Sequence, residues 1–89
     1  MAFRSAQVNV TGTAVQVGRF ENGLPVTLKN IASGGRSTVY FGALGVTPTT
    51  GFPLDFLNND SSVMVPGDGD LYAVCDTGGT ARVAFLTVA

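Results

Sequence analysis

Two carboxylates flank a single glycine in "VPGDGDLY", where Asp68 and Asp70 stand either side of Gly69. Oxygen ligands at this spacing open a calcium loop, because they can converge on a hard cation. An EF-hand loop needs further oxygen ligands and a bidentate glutamate at its last position, and counted from Asp68 that position is Gly79. The expectation is therefore a solvated turn leading into a strand and no metal site. In that turn Pro66 presets φ and Gly67 takes a positive φ at the next position. Nor do Gly67 and Gly69 cradle a phosphate, since neither a lysine nor a helix start follows them.

The rest of the reactive inventory is short. Histidine is absent and Cys75 is the only cysteine, so neither a zinc site nor a Cys-His nucleophile can be assembled around it. In "LYAVC" the alternation of a strand puts Leu71, Ala73 and Cys75 on one face and Tyr72 and Val74 on the other, which predicts a buried, inert thiol. Asp55, Asp60 and Glu21 have no partner that sequence spacing places beside them, and a small β domain leaves little wall for a deep pocket. The expectation is a protein that is not an enzyme, with no catalytic residue, no bound cofactor and no metal.

Tyr40, Phe41, Phe52, Phe56 and Tyr72 could offer rings for stacking on sugars or bases. A nucleic-acid groove also requires clustered cations, whereas Arg4, Arg19, Lys29, Arg36 and Arg82 fall one to a segment. Five cations against six anions leave a formal net charge of -1, so no field draws the chain to nucleic acid. No apolar run approaches the roughly 20 residues that span a bilayer, and no charged segment precedes an apolar one at Met1. Nucleic acid and membrane are thus not expected partners, and the chain is expected to be made in a cytoplasm.

The elements that must position these residues are strands. Valine, threonine, phenylalanine and tyrosine recur in short runs broken by Gly, Pro, Asn and Asp, the pattern of an all-β sandwich or barrel. Strands are predicted at residues 7–10, 14–17, 25–30, 38–42, 62–65, 70–76 and 81–88. "DLYAVCD" and "ARVAFLTVA" flank "TGG" and read as an antiparallel hairpin, as does "VNVTGTAVQV" about Thr11, Gly12 and Thr13. Asn22-Gly23 marks a further turn, and Gly34-Gly35 a loop between strands. The fold class expected is all-β: a single small antiparallel β-sandwich over residues 1–89, jelly-roll-like or a Greek-key barrel, with residues 1–6 as an extended N-terminal arm.

On the final strand Val83, Phe85 and Thr87 face one way and Ala84, Leu86 and Val88 the other, so both faces are apolar. The second face needs a cover, either Phe3 or Phe52 of the same chain or a neighbouring subunit. Charged residues make up only 12% of the chain against about 25% in soluble domains, and this deficit favours a surface covered by other protein chains.

The succession "VTLKN", "STVYFGALGVTPTTGFPL", "VMVPGDGDLYAV" and "GTARVAFLTV" resembles small virion proteins of tailed bacteriophages across residues 25–88. In these a strand ends in Asn, a "VY-G" strand leads into a "GVT-TG-PL" loop, and a "PGD-LYA" turn begins a closing hairpin. The resemblance implies a structural role, as in capsid decoration or cement proteins and head-fibre bases. It implies a place on the capsid surface of the virion, the major capsid protein as partner, and a homo-oligomer, with a trimer favoured. Residues 1–24 have no counterpart in the pattern, and no coiled-coil or collagen-like shaft is present, which favours decoration over a fibre. The alternative is a glycan- or receptor-binding module of a phage appendage.

Contact with the partner is expected from the N-terminal arm, Ala2, Phe3, Arg4 and Ser5, because a terminus not held in a sheet is free to reach a neighbour. It is also expected from the loop of Val46, Thr47, Pro48, Thr49, Thr50, Gly51 and Phe52. In that loop Val46 and Thr47 end a strand, Pro48 and Gly51 hold a wide turn, and Phe52, Pro53 and Leu54 return apolar bulk to the sandwich. The result is a stiff, neutral loop able to pack on a partner.

Overall fold

The structure is a computed structural model that describes residues 2–31, 38–54, 62–76 and 78–88. Its strands are β1 (Phe3–Val10), β2 (Val15–Phe20), β3 (Pro25–Ile31), β4 (Val39–Gly42), β5 (Phe52–Leu54), β6 (Ser62–Pro66), β7 (Gly69–Cys75) and β8 (Ala81–Val88). They form two four-stranded antiparallel sheets, ordered β1-β8-β3-β6 and β2-β7-β4-β5. The chain changes sheet at every connection except that between β4 and β5. This alternation interlocks two Greek keys and makes the sandwich a jelly roll, as the strand pattern leads one to expect.

Two expected hairpins are corrected. β7 lies between β2 and β4, and β8 lies between β1 and β3, so "DLYAVCD" and "ARVAFLTVA" are joined by a turn without pairing. Residues 76–80, with Gly78 at φ 81°, are long enough to cross the ~10 Å between packed sheets. Crossing puts each strand inside a sheet, where both backbone edges find partners. The turn at residues 11–13 likewise crosses between sheets, with β1 pairing β8 and β2 pairing β7. The loop about Gly34-Gly35 lies outside the described residues.

The free N-terminal arm is also corrected. β1 begins at Phe3, and Phe3, Arg4 and Ser5 sit opposite Val88, Thr87 and Leu86. β8 offers an unpaired edge along its whole length, and the chain start fills it.

Alternation supplies the core. Val26 and Leu28 of β3 and Val83 and Phe85 of β8 pack on Val39 and Phe41 of β4, Leu54 of β5, and Ala73 and Cys75 of β7. Each large side chain fully buried contributes about 1.5–3 kcal/mol. Phe20 meets Phe85 edge to face, with centroids 4.9 Å apart, and so joins the two sheets. A bulge at Val17 sets two residues against one of β7, keeping Val17 in the core while Gln16 and Arg19 both stay on the outer face. Buried Asn30 donates from Nδ2 to the Leu54 carbonyl at 2.9 Å, tying β3 to β5 across the sandwich.

Candidate docking surface

Strand direction decides which connections share an end. β2 ends where β3 begins, β4 ends where β5 begins, and β6 ends where β7 begins, so residues 21–24, 43–51 and 67–68 cap one end of the sandwich. β1 starts and β8 finishes at the same end. The two segments expected to contact a partner, the chain start and the 46–52 loop, are therefore brought to one end of the molecule.

The loop is tied together by its own side chains and backbone. The Thr47 backbone N–H donates to Thr50 Oγ1 at 3.0 Å, and the Thr50 N–H donates to Thr47 Oγ1 at 3.2 Å. The Thr50 and Gly51 N–H groups also reach the Thr47 carbonyl, at 3.1 and 2.9 Å. Gly51 is required by close approach, since a Cβ there would lie 2.6 Å from Tyr40 Cβ and 2.9 Å from Val46 Cγ2. Two expectations for this loop are corrected. Val46 is buried beneath the loop, behind a turn closed by its N–H on the Ala43 carbonyl, and β4 ends before it at Gly42. Phe52 and Pro53 are exposed, so Leu54 alone of that trio enters the core. Leu44, not singled out from the sequence, stands 81% exposed on the loop.

Among the described residues the outer face of the β1-β8-β3-β6 sheet carries three of the five exposed large apolar side chains, Phe3, Met64 and Leu86. Ser5, Leu86, Thr27 and Met64 form one row across all four strands, with Leu86 48% and Met64 66% exposed. Nearer the capped end, Phe3 opposite Val88 and Pro25 opposite Pro66 extend this apolar ground, and Phe3 is 80% exposed. Neither Phe3 nor Phe52 covers the second apolar face of β8, because Phe3 lies beside it and Phe52 belongs to the other sheet. Toward the opposite end the face turns polar, with Arg82 donating from Nε to Asn9 Oδ1 at 3.1 Å. The signal for this patch was the apolar character of β8 on both faces; that Met64 joins it depends on β6 pairing with β3.

The outer face of the other sheet is polar at the corresponding end. Asp70 Oδ1 accepts from Gln16 Nε2 at 3.1 Å and from an Arg19 terminal N–H at 3.2 Å, while Arg19 Nε donates to Glu21 at 2.9 Å. The carboxylates of Glu21 and then Asp70 raise the Arg19 guanidinium above its ordinary pKa, and all these groups are solvated, so the cluster is a hydrated network. Asp70 is thus engaged by the Arg19 cation and the Gln16 amide, and Asp68 stands exposed beside it. Among the described residues no group of three or more Cys, Asp or Glu is arranged to hold a metal ion. Asp55 and Asp60 lie outside the described residues.

The turn before Asp70 differs from expectation in one glycine. Gly69 takes the positive φ, at 103°, and Gly67 does not. Gly67 is buried with Phe20 Cβ only 2.6 Å from where its own Cβ would stand, so it is a contact glycine that lets this turn pass over Phe20. Cys75 is fully buried as expected, and burial, then the Asp76 carboxylate, push its thiol above its ordinary pKa. The aromatic residues do not gather on one platform. Phe41 is in the core, Tyr40 and Tyr72 share the outer face of the second sheet, Phe52 is exposed at the loop, and Phe56 lies outside the described residues.

Arg4 sits between the two sheets at the capped end. Its guanidinium lies 5.0 Å from the Phe20 ring centroid and 5.4 Å from that of Phe85, and it donates to the Arg19 carbonyl at 2.7 Å. It borders a cavity of about 370 Å³ with Arg19, Phe20, Glu21, Asn22, Leu24, Thr87 and Val88.

Comparison with protein-family models, curated proteins and solved structures gives no match to this chain.

Proposed function

We propose that the chain is a structural virion subunit, a decoration or cement protein that binds the outside of a tailed-phage head and stabilises the shell. The observation that carries this reading is the apolar outer face about Phe3, Leu86 and Met64, which the described residues leave exposed. Exposed apolar ground of this kind marks a protein contact. A sheet face and an internally bonded loop at one end of a small jelly roll suit packing on a repeating lattice, and the strand-and-turn pattern of residues 25–88 points to the same class of particle.

The partner on this reading is the major capsid protein, with copies of the chain grouped about a symmetry axis, a trimer in the favoured case. Its mechanism needs no bond-making. A protein that binds the assembled shell and not its dissociated subunits raises shell stability with the logarithm of its free concentration over its dissociation constant. Shells lacking the protein are expected to disrupt at lower temperature, and adding the purified protein back is expected to restore the higher value. Equal failure temperatures for bare and decorated shells contradict the cement role and favour glycan or receptor binding on an appendage.

A further inference from the structure

Among the described residues, Arg19 is engaged by two carboxylates, whereas Arg4 faces none. The position of Arg4 is nonetheless set by the molecule. Two aromatic rings hold the guanidinium at 5.0 and 5.4 Å, and one of its terminal N–H groups is committed to the Arg19 carbonyl. A guanidinium held this way has surrendered its rotamer freedom before any ligand arrives, and its remaining N–H donors match the planar geometry of a carboxylate. The adjoining cavity of about 370 Å³ has room for a side chain, and Phe20, Leu24 and Val88 give it apolar walls. Glu21 also lines it, but the Glu21 carboxylate lies on Arg19 Nε at 2.9 Å, so among the described residues Arg4 is the lining cation that no carboxylate engages.

This cavity does not stand alone. Thr87 and Val88, which line it, also line a shallow groove of about 200 Å³ with Phe3, Pro25 and Leu86 on the outer sheet face. The cleft that holds Arg4 and an apolar groove thus meet across the end of β8.

We propose that this junction is a docking site for a short segment of a partner polypeptide that places a carboxylate on Arg4 and an adjacent apolar side chain in the Phe3–Leu86 groove. Charge complementarity at the residue scale selects the occupant: Arg4 and Arg19 together only balance Glu21 and Asp70, yet among the described residues no carboxylate pairs with Arg4, whose remaining N–H donors stand beside apolar walls. The site does not depend on which assembly contains the partner.

The test is a titration of the full isotopically labelled chain, followed by NMR, with two capped pentapeptides that differ only in carrying glutamate or glutamine beside a leucine. The glutamate peptide is expected to shift the signals of Arg4 Nε–H, Phe3, Leu24 and Val88 in a saturable way. The glutamine peptide is expected to bind at least tenfold more weakly. Arg4→Gln, with its fold checked by spectral dispersion, is expected to abolish the difference between the peptides, and Gln7→Ala to preserve it. Equal affinity for the two peptides on the wild-type chain, or no saturable shift at these residues, overturns the proposal without recourse to any variant. Tighter binding of a methyl glucuronide than of the glutamate peptide overturns the assignment to a polypeptide.

Discussion

Gly67 and Gly51 are constrained by neighbours and not by backbone conformation. A methyl group at either position would come within 2.6 Å of another Cβ, that of Phe20 or Tyr40, and neither partner is the flexible end of a side chain. Gly67→Ala and Gly51→Ala are each expected to cost about 1–3 kcal/mol, read as a lower midpoint in urea with an unchanged slope. Cys75 makes a prediction about pH. Its thiol titrates above the ordinary thiol range in the folded chain because burial, then Asp76, disfavour the thiolate. As pH rises past the unfolded value, the unfolded state loses a proton that the folded state keeps, so stability falls with a limiting slope of about 1.4 kcal/mol per pH unit. Cys75→Ala is expected to remove that part of the slope, measured as the difference between the two unfolding curves from pH 8 to pH 10.5 (roughly the range of thiol titration).

At the scale of elements, β3 and β8 lie at the centre of their sheet and carry its largest buried side chains. Leu28→Ala on β3, at a site 1% exposed, is expected to cost about 2–5 kcal/mol in chemical unfolding. The positions of most strands were legible in the sequence because alternation and turn residues are local signals, and β8 was read to its ends. Which strand pairs with which was not legible. A glycine turn such as residues 76–80 has the same composition whether the chain doubles back within a sheet or crosses to the other, and a jelly roll pairs the first strand with the last. β5 escaped notice because Phe52–Leu54 is too short to display a period. Of the candidate contact residues, Phe3 is exposed on a paired strand and not on a free arm, because the pairing of β1 with β8 leaves no signal in local sequence. Val46 was misplaced because an apolar residue inside a polar loop can as well plug the turn from below. The pinning of Arg4 by Phe20 and Phe85 joins positions remote in sequence and leaves no local signal.

At the scale of the whole molecule, one outer face is apolar where the opposite one carries a hydrated network of Gln16, Arg19, Glu21 and Asp70. Leu86→Lys and Met64→Lys should leave the fold within about 0.5 kcal/mol of wild type, because neither side chain enters the core. The same changes should weaken association. In sedimentation at micromolar concentration the wild-type chain is expected at a multiple of 9.1 kDa, and the double variant at the monomer mass. A wild-type monomer with little affinity for a hydrophobic dye would count against an apolar face that needs covering. The central claim, that this face seats the protein on a phage shell, is tested most directly by a cryo-EM map of the particle that carries it. The account expects many copies at lattice symmetry positions, with Phe3, Met64 and Leu86 turned toward the shell or a neighbouring copy. A few copies at the tail tip, or the same face directed into solvent on a decorated head, would contradict it.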